Sequence, residues 1–177
     1  LFITFFFLKD KDLFNNFILT IVPNNKSQQL TNALKNAKRL LSRYFIGVII
    51  QIFTITIIVS LGLSILGIKN AILIGFLAGL INVIPYIGPI IGALIGVIIG
   101  ISTNLELDFY TQMIPLIIKI CVVFGSMQLI DNFILQPIIF SNSVKAHPLE
   151  IFLVVISAGT IWGITGMIIA IPFYTFF

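Results

Sequence analysis

Three long stretches of this chain contain no Asp, Glu, Lys, Arg or His: residues 45–68, 70–105 and 151–177, which are 24, 36 and 27 residues long. A helix crosses the hydrocarbon core of a bilayer with about 20 apolar residues, rising 1.5 Å at each. Each stretch is long enough for that. A soluble core does not account for them. With 9% charged and 59% hydrophobic residues, the chain has too few polar groups to cover the surface of a small globule. Lipid removes that requirement. The sequence therefore predicts an all-α, polytopic helical membrane protein, with the lipid bilayer as its first partner.

The remaining charge is concentrated near one end. Residues 9–43 hold seven of the ten basic residues against Asp10 and Asp12, a local net charge of +5, while the rest of the chain sums to −1. Basic residues beside membrane spans mark the cytoplasmic side. In this segment Leu13, Phe14, Phe17, Ile18 and Ile21 share one helical face as far as the turn Pro23-Asn24-Asn25. A second stripe follows at Leu30, Leu34, Ala37 and Leu41. Both read as amphipathic helices that meet lipid headgroups or a partner protein rather than nucleic acid. Residues 1–8 read as the tail of an upstream span, because they lack the basic start and small-residue cleavage site of a signal peptide. The expected organisation is 1–8, the end of that span; 9–43, a cytoplasmic amphipathic segment; and 44–177, the transmembrane region.

The apolar stretches differ in continuity. Residues 45–66 form one clean span, ended by the turn Gly67-Ile68-Lys69-Asn70. Residues 71–101 are broken at Pro85-Tyr86-Ile87-Gly88-Pro89, and the last stretch at Gly163-Ile164-Thr165-Gly166, with Pro172 beyond. Proline removes a backbone donor and glycine weakens a helix. In a bilayer the freed backbone groups survive only where protein covers them or where they line a watery cavity. Each half of the first broken segment is roughly 21–24 Å long, short of a crossing. A re-entrant hairpin and a single span with an unwound centre both fit. An ordinary kink in a packed bundle would explain either break alone. Two of them, in two halves of a chain, follow the pattern of secondary transporters, so residues 44–177 read as a transport region. Glycines four apart at 75/79, 88/92/96/100 and 159/163 let helix backbones approach closely.

Asp131 is the ionisable residue that most invites a role, with Gln128, Asn132 and Gln136 at helical distances around it. At membrane depth such a group serves a cation or a proton; in the headgroup region it is only a helix-end carboxylate. Asn82 and Tyr86 either contact a polar substrate or satisfy freed backbone groups. Pro85, Gly88, Pro89, Gly163, Gly166 and Pro172 are expected to form the unwound or mobile elements. Cys121 reads as a small buried hydrophobe, His147 as a loop or helix-entry residue, and Trp162 as an interfacial anchor or packing residue. No nucleophile–base arrangement, phosphate loop or Cys/His ligand spacing occurs, so the sequence predicts no enzyme, cofactor or metal.

Four motifs in order carry a resemblance: Gly79-Leu80-Ile81-Asn82-Val83-Ile84-Pro85-Tyr86-Ile87-Gly88-Pro89, then Asp131-Asn132-Phe133-Ile134-Leu135-Gln136-Pro137, then Ala146-His147-Pro148-Leu149, then the run from Gly159 to Pro172. Together they resemble the AI-2E (autoinducer-2 exporter-like, PerM-type) family, in the C-terminal half of its longer members. The resemblance implies a multi-pass, homo-oligomeric protein of the bacterial inner membrane. It implies export of a small polar solute, with autoinducer-2-like quorum-sensing signals the named candidate, or Na⁺(Li⁺)/H⁺ antiport. A membrane scaffold without a transport cycle is the remaining reading, resting on the glycine stripes and the basic segment.

Overall fold

The computed structural model describes residues 27–140 and 147–176. Residues 1–8 and the stripe from Leu13 to Ile21 lie outside the described residues. All regular structure among the described residues is helical: α1 (Ser27–Ile65), α2 (Ala71–Ile81), α3 (Ile87–Ser102), α4 (Ile114–Ile130), α5 (Gln136–Phe140) and α6 (Pro148–Phe176). The π-helical turns Phe109–Met113 and Asp131–Leu135 adjoin the two ends of α4. By length and composition three helical stretches suffice to cross a membrane, Thr31–Ile65, Phe109–Ile138 and Leu149–Tyr174, but the last is interrupted at Gly163.

Helix α1 is continuous from the second amphipathic stripe into the first span, although compact packing divides the chain between Ser42 and Arg43. Within residues 43–177, α1 buries one narrow face: Tyr44, Val48, Gln51, Ile55, Val59 and Leu63. Their spacing of three and four residues is that of a single helical stripe. Phe45, Ile49, Phe53, Ile57 and Leu61 point outward, as apolar side chains do when lipid solvates the helix. The turn after α1 uses left-handed backbone at Gly67 (φ 72°) and Asn70 (φ 59°), the residue that enters α2.

Helices α2 and α3 fold back on each other. Gly92 stands opposite Ala78 and Gly96 opposite Ile74, an antiparallel register. The Pro85-to-Pro89 motif is thus the tip of a helical hairpin, with Tyr86 at φ 65° as the residue entering α3. Pro89 falls in the first turn of α3, where a missing N–H costs nothing.

The second break is also a hairpin tip. A straight helix would separate Glu150 from Tyr174 by about 36 Å, yet Tyr174 Oη donates a 2.9 Å hydrogen bond to Glu150 Oε2. Gly159 likewise faces Met167, and Gly166 faces the Ala158 carbonyl. The reversal occurs at Gly163, whose φ 63°, ψ −148° belongs to a region essentially reserved for glycine. Although α6 counts 29 residues, it is therefore two short antiparallel arms, 148–162 and 164–176. Residues 43–176 accordingly run span, hairpin, span, hairpin.

Each π turn ends two residues before a proline, Pro115 and Pro137. A proline ring inside an α-helix clashes with the carbonyl four residues earlier. Widening the preceding turn moves that carbonyl away.

Two apolar clusters hold residues 43–177 together. One joins Ile55, Val59 and Leu63 of α1 to Ile74 and Ala78 of α2 and to Ile120 and Met127 of α4. The other joins Tyr44 and Val48 of α1 to Ile84 of the first hairpin tip and to Val155, Ala170 and Ile171 of α6. Cys121, expected to be buried, is exposed instead. Apart from Lys119, Ser126 and Gln128 the sequence of α4 is apolar on every face, so apolar residues alone do not mark which face turns inward. His147 stands at the entry to α6, where its carbonyl accepts the N–H of Glu150 at 2.9 Å.

Cysteines introduced at 150 and 174, in full-length protein free of other cysteines, should be bridged by a flexible bis-maleimide too short to span the roughly 36 Å of a straight helix. Failure to cross-link would mean that α6 is straight. Gly163→Ala should cost about 1–3 kcal/mol of stability through backbone strain alone, because nothing lies within 4 Å of the added methyl group; the check is the denaturation midpoint in detergent.

Candidate functional site

The site begins with a close helix contact. A Cβ on Gly75 would lie 2.8 Å from the Thr56 carbonyl oxygen, and one on Gly79 would lie 2.7 Å from that of Ile52. Only glycine allows the α2 backbone to rest on α1 at these points. Asn82 follows Gly75 and Gly79 at i+7 and i+3, on the same face of the helix. The contact therefore delivers Asn82 to the level of Gln51 on α1.

Both amides meet Asp131. Gln51 Nε2 donates to Asp131 Oδ1 at 2.7 Å, Asn82 Nδ2 to Oδ2 at 3.3 Å, and Gln136 Nε2 to Oδ2 at 3.1 Å. Asp131 is 1% exposed, Gln51 6% and Asn82 7%. The π turn has a direct part in this geometry. Residues five apart diverge by roughly 140° on an α-helix, but the wider turn over Asp131–Leu135 lets Gln136 reach back to Asp131.

The cage lies where the two apolar clusters meet. On α1, Gln51 separates Val48 of one cluster from Ile55 of the other; on the first hairpin, Asn82 separates Ala78 from Ile84. No ion pair reaches Asp131 among the described residues, and every recorded partner is an amide donor. Burying a carboxylate costs several kcal/mol even after relaxation. A hydrogen bond to a charged group returns about 1.5–3 kcal/mol. Three such bonds, roughly 4.5–9 kcal/mol together, are of the size needed to hold the acid in place.

A second set of amides runs along the surface of the same helix. Gln128 Nε2 donates to Asn132 Oδ1 at 2.8 Å, and Gln136 Nε2 donates to that same oxygen at 3.1 Å. Asn132 is exposed, Gln128 and Gln136 half-buried. Gln136 thus belongs both to the buried cage and to the exposed ladder.

Two cavities of about 10 Å³ flank the acid. One is walled by Gln51, Asn82, Tyr86, Asp131 and Gln136, the other by Asn82, Gln128 and Asp131 with Met127 and Phe124. Each has room for about one water and none for an organic solute. The half-buried Tyr86 ring also meets Phe152 of α6 edge-on, with centroids 5.6 Å apart. A wider concavity, about 640 Å³, opens beside Asn70, Leu73 and Phe76 and contains none of these polar groups.

Of the residues singled out in the sequence, Asn82 and Gln136 both donate to Asp131. Tyr86, Pro85 and Pro89 line the first cavity, while Gln128 and Asn132 form the ladder. Gly88 packs against the Asn82 backbone. Gly163, Gly166 and Pro172 lie in α6, outside the cage. Gln51 was missed, although it was visible as the one amide on the buried stripe of a charge-free span. Among the described residues no three His, Cys, Asp or Glu side chains converge as metal ligands.

A family model described as "AI-2E family transporter" matches residues 1–177. The chain belongs to this family. It is 31% identical over 173 residues to the "Putative transport protein YueF" of Bacillus subtilis, covering 98% of this chain and 44% of that relative. It is 29% identical over 172 residues to the "Putative permease PerM" of Escherichia coli K12, covering 97% and 46%. An archaeal relative, a "Putative transport protein" of Methanothermobacter thermautotrophicus, is 29% identical over 166 residues, covering 92% and 46%. The chain spans less than half the length of these relatives. No solved structure matches it. Membership in the AI-2E family, together with its apolar helices, makes this a membrane protein of a transporter family, and the hydrogen-bonded acid lies in the region shared with the relatives.

Gln51→Leu in this AI-2E chain should destabilise the fold by about 1–3 kcal/mol by leaving Asp131 Oδ1 without its donor. Removing the acid as well, in a Gln51→Leu/Asp131→Leu double variant, should cost less than the sum of the single changes, with a coupling of about 0.5–3 kcal/mol. Chemical denaturation of the four proteins measures this, and simple additivity would contradict the cage.

Proposed function

We propose that residues 43–177 form the transport region of a secondary transporter that exports a small polar solute across the bacterial cytoplasmic membrane. The observation that carries this reading is the buried carboxylate of Asp131, bonded to Asn82 at the tip of a broken, apolar hairpin. An acid at that depth, satisfied only by neutral amides, is costly to retain for structure alone.

The hairpin arms support the same reading. Helix α2 has 11 residues and α3 has 16, about 16 and 24 Å, against roughly 30 Å of hydrocarbon. Both hairpins would enter the bilayer and return to the side they came from. With one full span between them, they would enter from opposite faces, as in transporters built from inverted repeats. The solute would hydrogen-bond to the exposed Gln128–Asn132–Gln136 ladder, since the cavities at Asp131 are too small for it. An autoinducer-2-like polyol matches a ladder of amides, each able to donate and accept. Homo-oligomeric assembly is part of the same family expectation.

Cation/proton antiport is the second reading, and the size of the cavities favours it: they fit an ion and exclude an organic solute. The two readings separate in everted vesicles containing full-length protein. A Na⁺-induced change in ΔpH that disappears in Asp131→Asn supports antiport. Efflux of autoinducer-2 from loaded proteoliposomes, reduced at least about tenfold (1.4 kcal/mol) in Asn132→Leu, supports export. A protein that moves neither would be a scaffold.

A further inference from the structure

We propose that the Tyr86 ring is a gate over the buried acid, and that the second hairpin holds it shut through Phe152. The proposal concerns access to Asp131 and goes beyond the transport reading, since it does not depend on which species is carried.

The backbone at Tyr86 supplies the first argument. Ile87 N–H donates to the Pro85 carbonyl at 2.7 Å, and Tyr86 between them has φ 65°, ψ −47°. This is the γ-turn of positive φ, the rare and strained form. Its mirror image keeps the same hydrogen bond at negative φ and is the low-energy form. In an isolated turn the mirror form would prevail by roughly tenfold or more. A residue other than glycine stays in such a region only where its surroundings hold it. Something outside the turn therefore keeps Tyr86 in place.

Ring contacts identify the restraint. The Tyr86 side chain lines the cavity of about 10 Å³ together with Asn82, Asp131 and Gln136. It also meets Phe152, in the 148–162 arm of α6, with centroids 5.6 Å apart and planes at 84°. Phe152 is not among the walls of that cavity, so it bears on the acid through the tyrosine. The returning arm reaches the same wall. Pro172 has no N–H for the Ile168 carbonyl four residues before it, and Tyr44 Oη donates to that carbonyl at 3.4 Å. Tyr44 also lines the cavity. Each arm of the second hairpin thus touches one tyrosine beside the acid.

The turn gives the ring two positions. Cα keeps its hand while the backbone inverts, so the side chain changes direction without unwinding α2 or α3. Closed, the cavity has room for about one water. With the ring withdrawn it widens by the volume of the ring, and small polar solutes gain a route to the carboxylate. A shift of the second hairpin that removes Phe152 opens the gate, and its return closes it.

The test is the reactivity of a cysteine placed in the cavity wall. Val48 is buried and lines the cavity. Val48→Cys, in full-length protein free of other cysteines and purified in detergent, is treated with a small cationic methanethiosulfonate, and the modification rate is measured. The rate should be low with the gate intact and about fivefold higher in Phe152→Ala, the worth of one aromatic edge contact. Phe152→Leu, which keeps apolar bulk without the ring, should change it in the same direction. Tyr86→Gly, which lacks the gate itself, should give the highest rate. An unchanged rate in Tyr86→Gly overturns the gate, and an unchanged rate in both Phe152 variants overturns its control by the second hairpin. Tyr44→Phe deletes only the hydroxyl that meets Ile168 and should raise the rate about threefold; no change removes the returning arm from the device. Leu63→Cys, fully buried on the same helix and outside both cavities, should keep its rate in every variant. A parallel rise there means general loosening and also overturns the gate. Rates that respond as expected, with no flux in the vesicle assays, would refute the transport reading and leave the gate standing. Flux with a Val48→Cys rate indifferent to Phe152 and Tyr86 would do the reverse.

Discussion

A carboxylate withdrawn from water has to be satisfied by its surroundings, and in this protein three uncharged amides from separate parts of the chain do so. Gln51 comes from the long helix α1, Asn82 from the tip of the first hairpin, and Gln136 from one turn beyond the acid. None is adjacent to Asp131 in sequence, and each is held by a different local device. A buried stripe orients Gln51, glycine contacts bring Asn82 close, and a π turn aims Gln136. These devices are interdependent. Were α2 pushed off α1 by a side chain at residue 79, Asn82 would withdraw and the acid would keep two donors.

The same constraint explains the position of the cage. Apolar clusters stabilise by excluded area and are indifferent to register, whereas hydrogen bonds at 2.7–3.3 Å are not. Placing the polar centre between two apolar clusters lets them supply the association while the amides fix the alignment. The junction is also where the first hairpin tip meets both α1 and α6, so a displacement of either hairpin would be felt at Asp131.

The gross architecture was legible in the sequence because lipid imposes a simple rule, apolar length without charge, and residues 45–68 and 70–105 obey it plainly. The breaks were legible as well, since Pro85, Pro89, Gly163 and Gly166 are the residues that interrupt a helix. What they do to the chain direction was not. A kink and a reversal use the same residues, and only the backbone angles of Tyr86 and Gly163, with contacts such as Glu150 to Tyr174, decide between them. Asp131 and its neighbours on the same helix were visible by spacing. Gln51 left only a weak trace, a lone amide on the buried stripe of a span, because its partner lies 80 residues away.

Asn132 and Gln128 complete the picture, because an exposed amide ladder is as poorly suited to lipid as a buried acid is to an apolar core. Amide groups facing hydrocarbon lose their hydrogen bonds to water, a cost of roughly 1–3 kcal/mol each when unmet. Bonding to one another meets part of that cost, yet each amide retains donors and acceptors that its neighbours do not use. Those groups need a polar surrounding. The exposed ladder and the buried acid are joined through one glutamine, whose amide nitrogen serves both, so the alignment of either depends on the other.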